Sequence, residues 1–81
     1  MKDYLILLNT IDRIKDFTNT ACKFAEDMDI IHGRYVIDAK SIMGIFSIDT
    51  SKPVTLRVHS DEKEVLENIE KNIKVFIVDK E

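Results

Sequence analysis

An α+β open-faced sandwich is the fold this sequence predicts: a mostly antiparallel four-stranded sheet, two long helices on one face and one short helix. Three observations carry that reading. Two stretches space their apolar residues three and four apart, one from Ile14 to Met28 and one from Val65 to Ile77, as amphipathic helices do. Two short extended runs, Asp29–Ile31 and Arg34–Asp38, flank His32-Gly33 as the arms of a hairpin would. The stretch Val54-Thr55-Leu56-Arg57-Val58-His59 alternates apolar and polar residues, which is the period of a half-buried strand. Strands and helices then follow in the order β-α-β-β-α-β-α, and the hairpin in the middle makes the sheet antiparallel.

Each element has its own signal. Tyr4-Leu5-Ile6-Leu7-Leu8 is a short apolar run ended by Asn9-Thr10, hence a first strand. A helix follows with the stripe Ile14, Phe17, Ala21, Phe24, Ala25 and Met28. Asp12 is read as its N-cap, with Thr10 as the alternative one half-turn earlier. Cys22 lies beside the stripe and reads as a half-buried packing residue, since no base neighbours it in sequence. Gly33 supplies the positive φ that the hairpin turn needs, and His32 reads as a solvated turn residue.

Ser41 then stands where an N-cap would, before the apolar run Ile42, Met43, Ile45 and Phe46. Five residues of helix cannot bury all of that run, so some of Ile42, Met43 and Phe46 should stay exposed. Gly44 weakens this short helix, which therefore needs packing to hold it. Asp49 to Pro53 is a turn. In the next strand Val54, Leu56 and Val58 should face the core, with His59 exposed at the strand's end. Ser60 is read as the cap of the last helix, with Asp61 and Glu62 in its first turn. That helix runs to about Lys74, and a short extended tail through Val75-Phe76-Ile77-Val78 is the alternative.

Bulk properties narrow the function. With 81 residues the chain is expected to form one domain, 1–81. A net charge of −3 argues against nucleic acid as a direct partner. No apolar run approaches the roughly 18 residues of a membrane span, and Asp3 argues against a signal peptide. A single cysteine fits a reducing, cytoplasmic setting. No histidine, cysteine or carboxylate spacing fits a metal site, and no cofactor is expected.

The stretch Asp38-Ala39-Lys40-Ser41-Ile42-Met43-Gly44-Ile45-Phe46-Ser47 resembles HPr, the histidine-containing phosphocarrier family of the bacterial sugar phosphotransferase system. There a lysine-serine pair and an apolar turn with methionine and glycine lead into a short second helix. Length and element order are similar too. The resemblance implies that Ser41 is a regulatory phosphorylation site for an HPr kinase/phosphorylase. It implies that Lys40, Ile42, Met43 and Phe46 belong to a protein-docking face, with a transcriptional regulator among the partners.

One departure changes the expected chemistry. The family's carrier motif, Gly-x-His-x-Arg-Pro, opens the first helix. The matching stretch here is Thr10-Ile11-Asp12-Arg13-Ile14-Lys15. Asp12 falls at the carrier histidine, Ile14 at the arginine and Lys15 at the proline. An imidazole nitrogen accepts and passes on a phosphoryl group, whereas a lone carboxylate normally needs a metal to offset phosphate repulsion. The expectation is therefore a non-enzymatic regulatory module without catalytic residues. The alternatives are a carrier using an atypical acceptor such as Asp12, or this fold reused for unrelated binding.

Overall fold

The computed structural model describes residues 1–78. Its elements are β1 (Lys2–Ile6), α1 (Ile11–Ala21), β2 (Met28–His32), β3 (Tyr35–Asp38), α2 (Ile42–Phe46), β4 (Val54–Val58) and α3 (Lys63–Ile73). A 3-10 turn, Lys74–Phe76, extends α3. The four strands form one antiparallel sheet in the order β1-β4-β2-β3.

β4 has the clean alternation, and it lies between two partners. Val54, Leu56 and Val58 are buried, and Thr55 and Arg57 are turned to the other face. Leu56 pairs with Tyr4 on one side and Ile30 on the other. The helix-covered face is thus Ile6, Leu56 and Ile30, which join Ile14, Phe17, Ile45, Ile69 and Ile73 in one core. The opposite face carries a charged row, Asp3-Arg57-Asp29-Asp38, beside a mainly apolar row, Leu5-Thr55-Ile31-Val36. Each buried aliphatic side chain contributes about 1.5–3 kcal/mol relative to exposure.

Several boundaries differ from those the sequence predicts. β1 starts and ends two residues earlier, because Leu7 and Leu8 turn toward the C-terminal segment; the Leu7 N–H donates to the Phe76 carbonyl at 2.9 Å. α1 ends at Ala21 and not near Met28. Met28 shares the helical period only by coincidence, since its backbone pairs with Val58 in the sheet. Thr10, and not Asp12, is the N-cap of α1: its side chain accepts from the Arg13 N–H. Asp12 lies in the first turn, exposed.

His32 is the last residue of β2, paired with Tyr35, so the turn is Gly33-Arg34. Gly33 has φ 61° and no other described residue has positive φ, the pattern of a two-residue turn with glycine first. Ser60 does not cap α3; its Oγ accepts the Glu62 N–H at 3.2 Å, and Glu62 takes the cap position without a side-chain bond. Both readings of the tail hold in sequence. Helical backbone continues to Phe76, and Ile77 then bridges Ile6. Residues 79–81 lie outside the described residues.

Gly44 is set by packing. A Cβ there would stand 2.7 Å from Ile37 Cγ2 and 3.2 Å from Ser41 Oγ, so α2 lies against β3 at a distance only glycine permits. Helix propensity alone predicts that Gly44→Ala stabilises by about 1 kcal/mol. The contact with Ile37 predicts a net loss of about 1–3 kcal/mol, measured by urea unfolding. An unchanged or raised midpoint would show that Ile37 yields.

Asp3 and Arg57 form a two-bond ion pair at 2.8 and 2.9 Å. The guanidinium holds the Asp3 carboxyl below its ordinary 3.8. Its stabilising contribution is present above that ordinary value and lost as pH falls through the lowered one. In Arg57→Gln the Asp3 midpoint, followed by NMR, should move up, with little change in stability at neutral pH because both groups are substantially exposed.

Candidate functional site

The segment between β3 and α2 is held from both ends. Ala39 is fully buried, and its N–H donates to the Met28 carbonyl at 2.9 Å. Asp38 closes the turn: its Oδ1 accepts the Lys40 N–H at 2.9 Å, and its carbonyl accepts the Ser41 N–H at 3.0 Å. Lys40 reaches back to the loop after α1, where its ammonium donates to the Phe24 carbonyl at 2.6 Å. The phase of β3 and one buried alanine therefore decide where Ser41 stands.

Ser41 is the N-cap of α2, in extended backbone, and its Oγ accepts the Gly44 N–H at 3.2 Å. The hydroxyl belongs to a half-buried residue at the surface end of the helix. Behind it Ile45 is fully buried and Ile42 packs against the core. Met43 is 73% exposed and Phe46 42% exposed. The expected apolar surface is present, but it narrows to Met43 and Phe46. Ile42 is drawn inward, and Lys40 also anchors the loop.

The other candidate region is the start of α1. Thr10 Oγ1 accepts the Arg13 N–H at 3.1 Å, and the Thr10 carbonyl accepts the Ile14 N–H at 3.0 Å. The Arg13 side chain turns back beneath the helix. Its Nε donates to the Leu7 carbonyl and its Nη2 to the Val75 carbonyl, each at 3.0 Å. The guanidinium lies 5.1 Å from the Phe76 ring centre, and Phe76 meets Phe17 edge to face at 5.4 Å. Arg13 ties β1, α1 and the C-terminal segment together, a role its sequence position did not reveal. Ile11, the first residue of α1, is 61% exposed although it lies three residues before Ile14.

Neither histidine lies at the start of α1. His32 ends β2, and His59 follows β4 with its Nε2 2.6 Å from Asp29 Oδ2. Cys22 is exposed at the C-cap of α1, not half-buried; its Sγ is 3.9 Å from the Lys40 carbonyl. Its backbone is still helical, and it lies off the buried stripe of Ile14, Phe17, Thr18 and Ala21. Among the described residues no group of three or more histidines, cysteines and carboxylates could hold a metal ion. No described helix is long and apolar enough to cross a membrane.

A four-stranded antiparallel sheet under three helices, with a capping serine on the short second one, defines an open-faced α+β sandwich. The comparisons agree. The family of the PTS HPr component phosphorylation site matches residues 13–74, and the chain belongs to the HPr family. The match takes in Ser41 and α2, and it begins just after Asp12.

Among solved structures, HPr-C-His from Thermoanaerobacter tengcongensis is 27% identical, with TM-score 0.69, covering 91% of this chain and 92% of that one. The phosphocarrier protein HPr of Bacillus anthracis is 30% identical, with TM-score 0.63, covering 88% and 92%. Crh of Bacillus subtilis, a catabolite repression protein seen as a swapped dimer, is 25% identical, with TM-score 0.58, covering 94% and 88%. No curated relative matches the sequence.

The Arg13 staple is testable. Arg13→Ala removes two hydrogen bonds and a cation–π contact and should cost about 1–3 kcal/mol by urea unfolding. The Val78 N–H, which donates to the Leu5 carbonyl at 2.9 Å, should exchange faster with solvent in that variant.

Proposed function

We propose that this chain is a regulatory protein-binding module of the sugar phosphotransferase and carbon-catabolite network. It acts without a carrier histidine and is switched by phosphorylation of Ser41. The observation that carries the reading is the geometry of α2. A serine hydroxyl caps that helix at 3.2 Å, with exposed Met43 and Phe46 on the same five residues. A phosphate on Ser41 would place about two negative charges beside that apolar surface and change which partners accept it. It would also exchange a long neutral cap bond for a charged one.

The start of α1 supports the same reading. Thr10 caps it, Asp12 is exposed in its first turn, and no histidine is near. Asp12 stands at the carrier position by the sequence pattern, and among the described residues no group of three or more histidines, cysteines and carboxylates lies there to hold a metal ion. Likeness to Crh, a catabolite repression protein, is consistent with a regulatory role. The expected setting is cytoplasmic, with an HPr kinase/phosphorylase and a transcriptional regulator as partners.

Incubation with HPr kinase/phosphorylase and ATP, followed by intact-mass and site-resolved measurement, should show one phosphate on Ser41 and none on Ser41→Ala. A chain that takes no phosphate while a genuine HPr does would remove the switch. A second incubation, with phosphoenolpyruvate and the system's first enzyme, should leave the mass unchanged. An acid-labile phosphate there would establish carriage through an atypical acceptor instead.

A further inference from the structure

We propose that Lys40 is the positioning residue for phosphorylation of Ser41, an inference that rests on the reading of Ser41 as the switch. Lys40 ties the turn between β3 and α2 to the loop after α1, so it acts through the place it gives Ser41 and not through its charge on a kinase. The bonds that Ser41 itself makes are local. Its N–H donates to the Asp38 carbonyl and its Oγ accepts the Gly44 N–H, each three residues away. Those bonds shape the turn without fixing where it sits on the protein.

Two longer connections do that. Ala39 enters the core and its N–H bonds the Met28 carbonyl, which joins the turn to β2. Lys40 crosses the other way, its ammonium 2.6 Å from the carbonyl of Phe24, sixteen residues earlier. On that side the accompanying polar contact is a long one, from Cys22 Sγ to the Lys40 carbonyl at 3.9 Å.

The chemistry of this tether sets its role. Lys40 is half-buried, and among the described residues no carboxylate pairs with it. An ammonium drawn partly out of water needs an acceptor, and a half-buried loop carbonyl needs a donor. Phe24 lies outside α1, and no other described group donates to its carbonyl. Each group supplies what the other lacks, and a charged donor makes the bond stronger than a neutral one. Without the tether Ser41 keeps its cap bond to Gly44, but the turn is free to shift against α1. A shift of about 1 Å in a reacting group costs up to about a hundredfold in rate.

The full chain serves as substrate for HPr kinase/phosphorylase with ATP, at a temperature where circular dichroism shows every variant folded. A loss of stability alone leaves kcat/KM of a folded chain unmoved. Lys40→Met keeps the length of the side chain and removes its donor, and kcat/KM should fall at least about fivefold. Lys40→Arg, which can donate to the same carbonyl, should recover most of that loss. Relative to wild type, the Lys40→Met loss should be the same at about 0.05 M and about 0.3 M salt, because recognition of an exposed charge is screened over that range. The decisive variant leaves Lys40 intact. Ala25→lactic acid, assembled by ligation at Cys22, makes the Phe24 carbonyl that of an ester, a weaker acceptor. Ala25 is exposed and its N–H has no partner among the described residues. This variant should also be phosphorylated more slowly than wild type. If it reacts at the wild-type rate, or if the Lys40→Met loss vanishes at the higher salt, Lys40 acts through its charge on the kinase and the proposal is overturned while Ser41 remains the switch. A wild-type chain that takes no phosphate on Ser41 would overturn that reading and this proposal together.

Discussion

The structure depends on β4 lying between β1 and β2. It joins the first strand of the chain to a hairpin that begins more than twenty residues later, and it supplies three buried side chains to the layer on which the helices rest. Each pairing fixes which face of its partner is covered, because a shift of one residue would turn the whole apolar set outward. Leu56 opposite both Tyr4 and Ile30 is the visible result. The helices then have one surface to cover, and their stripes meet it.

That surface constrains the candidate site more than the site's own residues do. β3 ends at Asp38, one buried alanine follows, and Ser41 is delivered to the end of α2 with its backbone N–H already bonded to Asp38. α2 then lies so close to β3 that Gly44 has no room for a Cβ beside Ile37. The helix is short and poorly formed by propensity, and the sheet edge holds it in place. Met43 and Phe46 stay outside because Ile45 and Ile42 occupy the inward side of so short a helix.

At the start of α1 the same economy gives a different outcome. Arg13 faces inward and backward, bridging the carbonyls of Leu7 and Val75. Thr10 and Asp12 are left at the surface. The region is a structural joint between β1, α1 and the C-terminal segment.

The element order, the faces of β4, the hairpin glycine and the serine cap of α2 were legible in the sequence, because each rests on local period or local backbone preference. The end of α1 was not. Phe24, Ala25 and Met28 keep a helical period, and only the pairing of Met28 with Val58 makes that period irrelevant. The cap of α1 was ambiguous between Thr10 and Asp12, since both are good acceptors. The reach of Arg13 across more than sixty residues and the contact between Gly44 and Ile37 leave no trace in spacing. By itself the sequence determined a sandwich of this class and a serine poised at a short apolar helix. The tertiary structure decided which of the neighbouring residues remain exposed, because burial is settled by what packs opposite, and nothing local records that.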